Sequence, residues 1–353
     1  MECLKENNMA KFNFILIAAL CLISTPLFAG NLEPTAAPGS TMKPLSEIEP
    51  GTAISSLPYT ISTSGSYYFT ANLTIPNSLN GVSINADNVT IDLKGFTLDG
   101  NKVVTHAISA AKRKNITIKN GIFVNWYANG LYLGDSNNCR IENLSFSNTG
   151  RSAISVGNNA IVQKCIIANC RDSSNYSAIS ATGQAIITNC VVSDCNYIGI
   201  KTQDRAIISD CSVKNCGDAG IVTSNTSIIK NCVTVDNGDY GLRVDAGSIV
   251  ESCAALNNAD HGMYINNSTA INNNCSSNQA SGMFVTGTGC RIESNTCNNN
   301  TAYGFYISSS SSNVVVRNFA KGNLSGNYSV SSGSVAPATS NPGTASAWAN
   351  FGF

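Results

Sequence analysis

The sequence predicts an all-β chain wound into a single-stranded parallel β-helix, with three short strands and about 21 residues per coil. Three observations carry this expectation. Residues 178 to 261 fall into four blocks in register: AISATGQAIITNCVVSDCNYI from Ala178, GIKTQDRAIISDCSVKNCGDA from Gly199, GIVTSNTSIIKNCVTVDNGDY from Gly220 and GLRVDAGSIVESCAALNNADH from Gly241, each starting 21 residues after the last. Within a block the apolar runs are short, β-branched and bounded by Asn, Asp, Ser and Gly, which marks strands and turns rather than helices. The competing repeat architectures fail, because the recurrent Leu of a leucine-rich repeat is missing and a propeller blade needs about twice this length.

A unit this short cannot bury its apolar side alone, so successive units stack. Each strand then hydrogen-bonds to its equivalent one coil on, about 4.8 Å away, and residues distant in sequence line up in rows. Ile179, Ile200, Ile221 and Leu242 form an inward row. Cys190, Cys211, Cys232 and Cys253 form a second, preceded by Cys165, with Asn, Asp or Ser before it at 189, 210, 231 and 252. Cys170, Cys195 and Cys216 open a third row that continues as Asn237 and Asn258. That exchange marks a small inward turn site, suited to an amide ladder or a compact thiol.

The elements follow in order. Residues 1–29 read as a secretory signal: Lys11 precedes the apolar run from Phe12 to Ile23, and Ala29 is a small residue fit for cleavage. Glu2 and Glu6 spoil the basic start, which points to initiation at Met9; an uncleaved anchor is the alternative, on a run short for spanning. Residues 30–58 are an arm rich in Pro, Ser and Thr. The β-helix is expected over 59–326, with 59–80 as a strand-bearing cap, since an open solenoid end exposes strand edges. The first full coil, 81–100, alternates Val89, Ile91, Leu93, Phe96 and Leu98. Less regular coils begin near His106, Gly130 and Ala153, and later ones at Gly262, Gly282 and Gly304. Residues 327–353 end in Trp348, Phe351 and Phe353 and are expected to fold back over the last coil.

The repeat resembles those of the pectate-lyase-like superfamily of right-handed β-helices. The flanks TMKPLSEIEPG (41–51), LPYTISTSGSYYFTANLT (57–74), NADNVTIDLKGFTLDG (85–100) and NPGTASAWANFGF (341–353) are similar to a group of secreted bacterial β-helix proteins. That group is defined by architecture and has no assigned activity. The resemblance implies right-handedness, which spacing does not show.

Composition narrows the partners. The chain carries 21 basic and 21 acidic residues, with no basic patch for nucleic acid and no acidic tail. No membrane span is expected once the signal is cleaved. Two of the fourteen cysteines lie in the leader. The stacked ones satisfy the Cα range of a disulfide, but parallel Cβ vectors leave the Cβ atoms farther apart than the roughly 3.8 Å a bridge prefers. Buried thiols are therefore expected over a chain of bridges. There is no Cys-x-x-Cys or His cluster for zinc, and no nucleophile elbow, His-Glu-x-x-His or EF-hand loop.

Two rows can carry chemistry. The outward position of the first strand holds Tyr132, Ser155, Ser180, Lys201, Val222, Arg243, Tyr264, Phe284 and Tyr306. Rings and cations on one flat face suit a sugar polymer, although aromatic residues also simply favour strands. Beside it lie Asp218, Asp239 and Asp260, two residues before the block-opening Gly, with Tyr240 and His261 next in sequence. Stacked carboxylates must raise a pKa, find a cation or splay into water; Asp before Gly is also ordinary turn chemistry. His106 reads as a lone turn residue.

The leading expectation is a secreted or cell-surface protein that engages extracellular polysaccharide along the first-strand face. Whether it also cleaves stays open. In a lyase or glycoside hydrolase, Asp239 and Asp260 would be the acid/base pair and His261 an auxiliary. Lys201, Arg243, Tyr240, Tyr264, Phe284 and Tyr306 would hold substrate. No cofactor is required, although Asp218, Asp239 and Asp260 form an oxygen-rich trio able to hold Ca2+. The alternative is a non-catalytic structural or adhesive solenoid.

Overall fold

The computed structural model describes residues 51–353 except 77–78, 103–105, 172–174, 309–311 and 332–334. The expected signal (1–29) and the arm as far as residue 50 lie outside the described residues. The chain is a parallel β-solenoid of about 12 turns with about 22 residues per turn. The first strands form one 13-stranded sheet, from Tyr59–Ile61 to Gly326–Val330. The second and third strands together form a 25-stranded sheet. Equivalent residues pair in register, as in Ile179↔Ile200↔Ile221↔Leu242.

Corners are made by single residues in the left-handed region. In the coil from Gly199 these are Arg205 (φ 61°), Asp210 (φ 56°) and Asn215 (φ 51°). Asn and Asp adopt this conformation more readily than other side-chain-bearing residues, because a short polar side chain can hydrogen-bond locally. This explains the recurring polar residue before each inward Cys: Asn189, Asp210, Asn231 and Ser252 all have φ near 54–56°. The block-opening glycines serve a different end. A Cβ at Gly241 would sit 2.6 Å from the Gly262 carbonyl oxygen of the next coil, so close backbone approach excludes it.

Ile179, Ile200, Ile221 and Leu242 are fully buried, and the row continues inward as Met263, Met283 and Phe305. The twelve described cysteines are free and buried, as expected from the stacking geometry. The two turn rows become amide ladders. The Cys253 row passes to Asn273, Asn295, Asn318 and Asn350. The Cys216 row passes to Asn237, Asn258, Asn278, Asn300 and Asn323. Asn278 makes four such bonds: its Oδ1 accepts from the backbone N and Nδ2 of Asn258, both at 3.0 Å, and its Nδ2 donates to Asn300 Oδ1 and the Ala255 carbonyl, both at 3.0 Å. An interior amide with its donors and acceptor used costs little to bury.

The ends are built from strands. In residues 59–80, expected as a strand-bearing cap, Tyr59–Ile61, Gly65–Phe69 and Leu73–Thr74 pair in register with the coil that follows. Thr52–Ile54, expected in the arm, adds a further strand on Tyr67–Phe69. Their alternating apolar residues, such as Tyr67 and Phe69, face the same core. At the other end Asn350–Gly352 pairs with Phe319 and Ala320, and Arg317 lies 4.4 Å from the Trp348 ring. Among the described residues no helix is long and apolar enough to cross a membrane.

Candidate functional site

Strand alternation sends every second residue of a first strand outward. The register places Tyr132, Ser155, Ser180, Lys201, Val222, Arg243, Tyr264, Phe284 and Tyr306 side by side in one unbroken outward row. The turn before each first strand adds a second line, in which Tyr240, His261 and Tyr303 occupy equivalent positions.

These two lines interlock into a continuous aromatic surface. His261 lies between Tyr240 (5.9 Å, planes within 14°) and Phe284 (4.7 Å). Tyr264 is tilted against Tyr240 at 5.5 Å and edge-on to Phe284 at 5.6 Å. Phe284 stacks on Tyr306 at 5.1 Å, and Tyr303 extends the surface at 5.6 Å from Tyr306. The Arg243 guanidinium sits 5.2 Å from the Tyr264 ring centre, within cation–π range. All six rings are half-buried, whereas Arg243 and Lys201 are exposed. Lys201 is not drawn into this cluster. It stands two coils from Arg243, with Val222 between them.

The carboxylates flank the rings. Asp218 Oδ1 accepts from the Ala219 backbone N at 2.7 Å. Asp260 Oδ1 faces His261 Nε2 at 3.7 Å, while His261 Nδ1 accepts from the Ser281 backbone N at 2.9 Å. That backbone donor fixes the neutral ring with its proton on Nε2, aimed at Asp260. Burial pulls the His261 pKa below its usual value against the opposing pull of Asp260. Burial also pushes the Asp239 carboxyl up to about 6, helped by the charges of Asp218 and Asp260 and by hydrogen bonds to both. Asp239 and Asp260 occupy equivalent positions on adjacent coils, and the charges of Asp260 and Asp218 crowd the Asp239 carboxyl. The expected Ca2+ site is not assembled: no group of three or more His, Cys, Asp or Glu among the described residues is arranged to hold a metal ion. Asp218 is turned to the Ala219 backbone N and Asp260 to His261.

Three features escaped the sequence reading. Tyr197 precedes its Gly by two residues, as the three Asp do. Its phenol is pushed up by burial, by the charge of Asp218 and by a hydrogen bond to it. Tyr303 occupies the His261 position. His106, read as a lone turn residue, stacks on Tyr132 at 4.5 Å with planes within 11°, and its Nδ1 accepts from the Asn129 backbone N at 3.2 Å, repeating the His261 arrangement. The signal in each case was position within the coil.

The model of the right handed beta helix region matches residues 106–248 and 242–320. No curated protein matches the chain. Among solved structures the chain is similar to the periplasmic alginate epimerase AlgG, with 14% identity and a TM-score of 0.54 over 79% of this chain and 76% of that one. It is also similar to the A-module of the Azotobacter vinelandii mannuronan C-5 epimerase AlgE6, at 14% identity and TM-score 0.51, covering 81% and 87%. A third is the Dettilon tailspike protein gp208, at 14% identity and TM-score 0.51, covering 86% of this chain and 61% of that one. Identities this low speak to the fold alone. The family match spans most of the coils whose rows were traced above, and the chain belongs to the right-handed β-helix family.

Proposed function

We propose that this protein is exported and binds an extracellular polysaccharide along its first-strand face. The observation that carries the reading is the uninterrupted surface of Tyr240, His261, Tyr264, Phe284, Tyr303 and Tyr306, edged by Arg243. Apolar ring faces stack on the C–H faces of sugars, and the phenols and guanidinium serve the hydroxyls. A flat row repeating about every 4.8 Å suits an extended polymer better than a compact ligand. The names of the similar structures, alginate and mannuronan epimerases, set polysaccharide as the class to test. Asp239 is the candidate acid, since its pKa of about 6 leaves it protonated in mildly acidic medium. Asp260 would accept from His261, and Lys201 would meet the polymer beyond Arg243.

The second reading is a non-catalytic structural or adhesive solenoid, favoured by the turn chemistry of Asp218, whose carboxylate accepts from the adjacent Ala219 backbone N. A glycan array and a reducing-sugar assay on the purified exported chain separate the two. Binding that is lost in the Tyr264→Ala, Arg243→Ala double variant supports the first. Silence across neutral and acidic glycans refutes it. Turnover unchanged in Asp239→Asn removes that residue from catalysis.

A further inference from the structure

A second cleft lies apart from the aromatic surface, in the turns that lead from the third strand back to the first near the N-terminal end. It encloses about 420 Å3 and is lined by Lys102, Trp126, Tyr127, Asn148, Arg151 and Arg171, among others. We propose that this cleft binds the anionic group of an acidic sugar, a uronate carboxylate or a sulfate ester. Its lining shares no residue with the first-strand face.

The cleft is a product of its local sequence. Gly150 lies in its wall, and a Cβ there would overlap the Tyr127 carbonyl, so the turn folds only around a residue without a side chain. Beneath it Trp126 is buried, with its indole N donating to the Leu98 carbonyl at 3.2 Å. Tyr127 is 56% exposed, leaving a ring free to cover a sugar face. Three basic residues line the cleft, and no acidic residue does so among those described. Arg171 Nη2 donates to Asn148 Oδ1 at 2.8 Å, which orients its guanidinium. The Arg151 guanidinium lies 4.9 Å from the Tyr176 ring centre. A planar guanidinium fork matches carboxylate or sulfate oxygens in a bidentate way, and a neutral sugar gains nothing equivalent. The field of Arg151 reaches His106, whose pKa is lowered by burial and then by that charge. The volume falls within the range of small-molecule sites.

The cleft is also tied to the carboxylates by register. Arg151, Tyr176, Tyr197, Asp218, Asp239 and Asp260 occupy one row of the same turn. The row changes sign along the rod, from Arg151 to Asp239 in four coils, roughly 19 Å. An acidic polymer would be held by charge at the cationic end while its next residues ran toward Asp239.

The test is isothermal titration of the full exported chain with three short oligosaccharides: an oligouronate, a sulfated oligosaccharide and a neutral one. Thermal melts of each variant serve as the folding control. Expected are binding of at least one acidic ligand and none of the neutral one, and at least tenfold weakening in the Arg171→Ala, Lys102→Ala double variant. The charge-keeping Arg171→Lys, Lys102→Arg pair should retain most of the affinity, and 0.5 M salt should weaken it. Which acidic ligand binds distinguishes carboxylate from sulfate recognition. Equal binding of the neutral ligand, or an unchanged Kd in a well-folded alanine double variant, overturns the proposal. Loss of acidic binding in that variant with none in Tyr264→Ala upholds the cleft and refutes the first-strand reading. The reverse pattern does the opposite.

Discussion

Replacing Asn278 by Ala tests the interior ladder on which every surface row depends. Asn278 is fully buried and makes four hydrogen bonds through its amide. Truncation orphans the backbone N–H of Asn258 and the Nδ2 hydrogen that faced it. It also takes a donor from the Ala255 carbonyl and from Asn300 Oδ1, though the latter keeps the Asn278 backbone N–H at 2.9 Å. Each orphaned buried donor costs about 1–3 kcal/mol, so the two together cost roughly 2–6 kcal/mol. Asn278→Cys should cost less, because a thiol in this kind of turn can accept weakly, as Cys253 Sγ does from the Cys232 backbone N at 3.4 Å. Urea unfolding gives the global effect, and amide hydrogen exchange at Asn258 gives the local one. The local measure matters because stacked repeats need not unfold in one step. An unchanged midpoint with unchanged exchange at Asn258, or a Cys variant less stable than the Ala variant, would refute the reasoning.

Other expectations follow from the same geometry. Asp239 has a folded pKa near 6, raised above its unfolded value, so its contribution to stability is complete in acid and is lost as pH rises through 6. Asp239→Asn should therefore raise the Tm at pH 7.5 and leave it unchanged near pH 3.5; an equal gain at both would show that charge crowding is not the cause. Phe284→Ala uncovers His261, so the imidazole pKa should move up toward 6.5 in an NMR titration, because burial is what lowers it. No movement would place the burial elsewhere. A thiol reagent should find the twelve buried cysteines unreactive in the native chain and all reactive in urea. Fewer equivalents after unfolding without reductant would reveal bridges.

Parallel in-register pairing is why so much of this protein can be read from spacing. When each strand pairs with its own equivalent, a repeat of fixed length turns a list of positions into a physical row. The row from Tyr132 to Tyr306 and the passage from Cys216 to Asn237 were both legible for that reason. Where coil length varies the reading fails. The longer coil around Arg171 puts Arg151 out of numerical step with Tyr176, Tyr197 and Asp218, and its place in their row stays hidden until the strands are paired. The cationic cleft is hidden for the same reason, since Lys102, Tyr127, Arg151 and Arg171 come from irregular coils.

The sequence alone determined the solenoid, the inward and outward faces of its strands and the residues stacked in the regular coils, because hydrogen-bonded strands hold equivalent backbones about 4.8 Å apart. Only the tertiary structure decided what the turn side chains do with that spacing. It half-buries the carboxyl of Asp239 beside the charges of Asp218 and Asp260, fixes His261 by the Ser281 N–H and closes a cleft around Gly150. Backbone register sets where a side chain starts, whereas its direction follows from burial and from the partners that the neighbouring coils present.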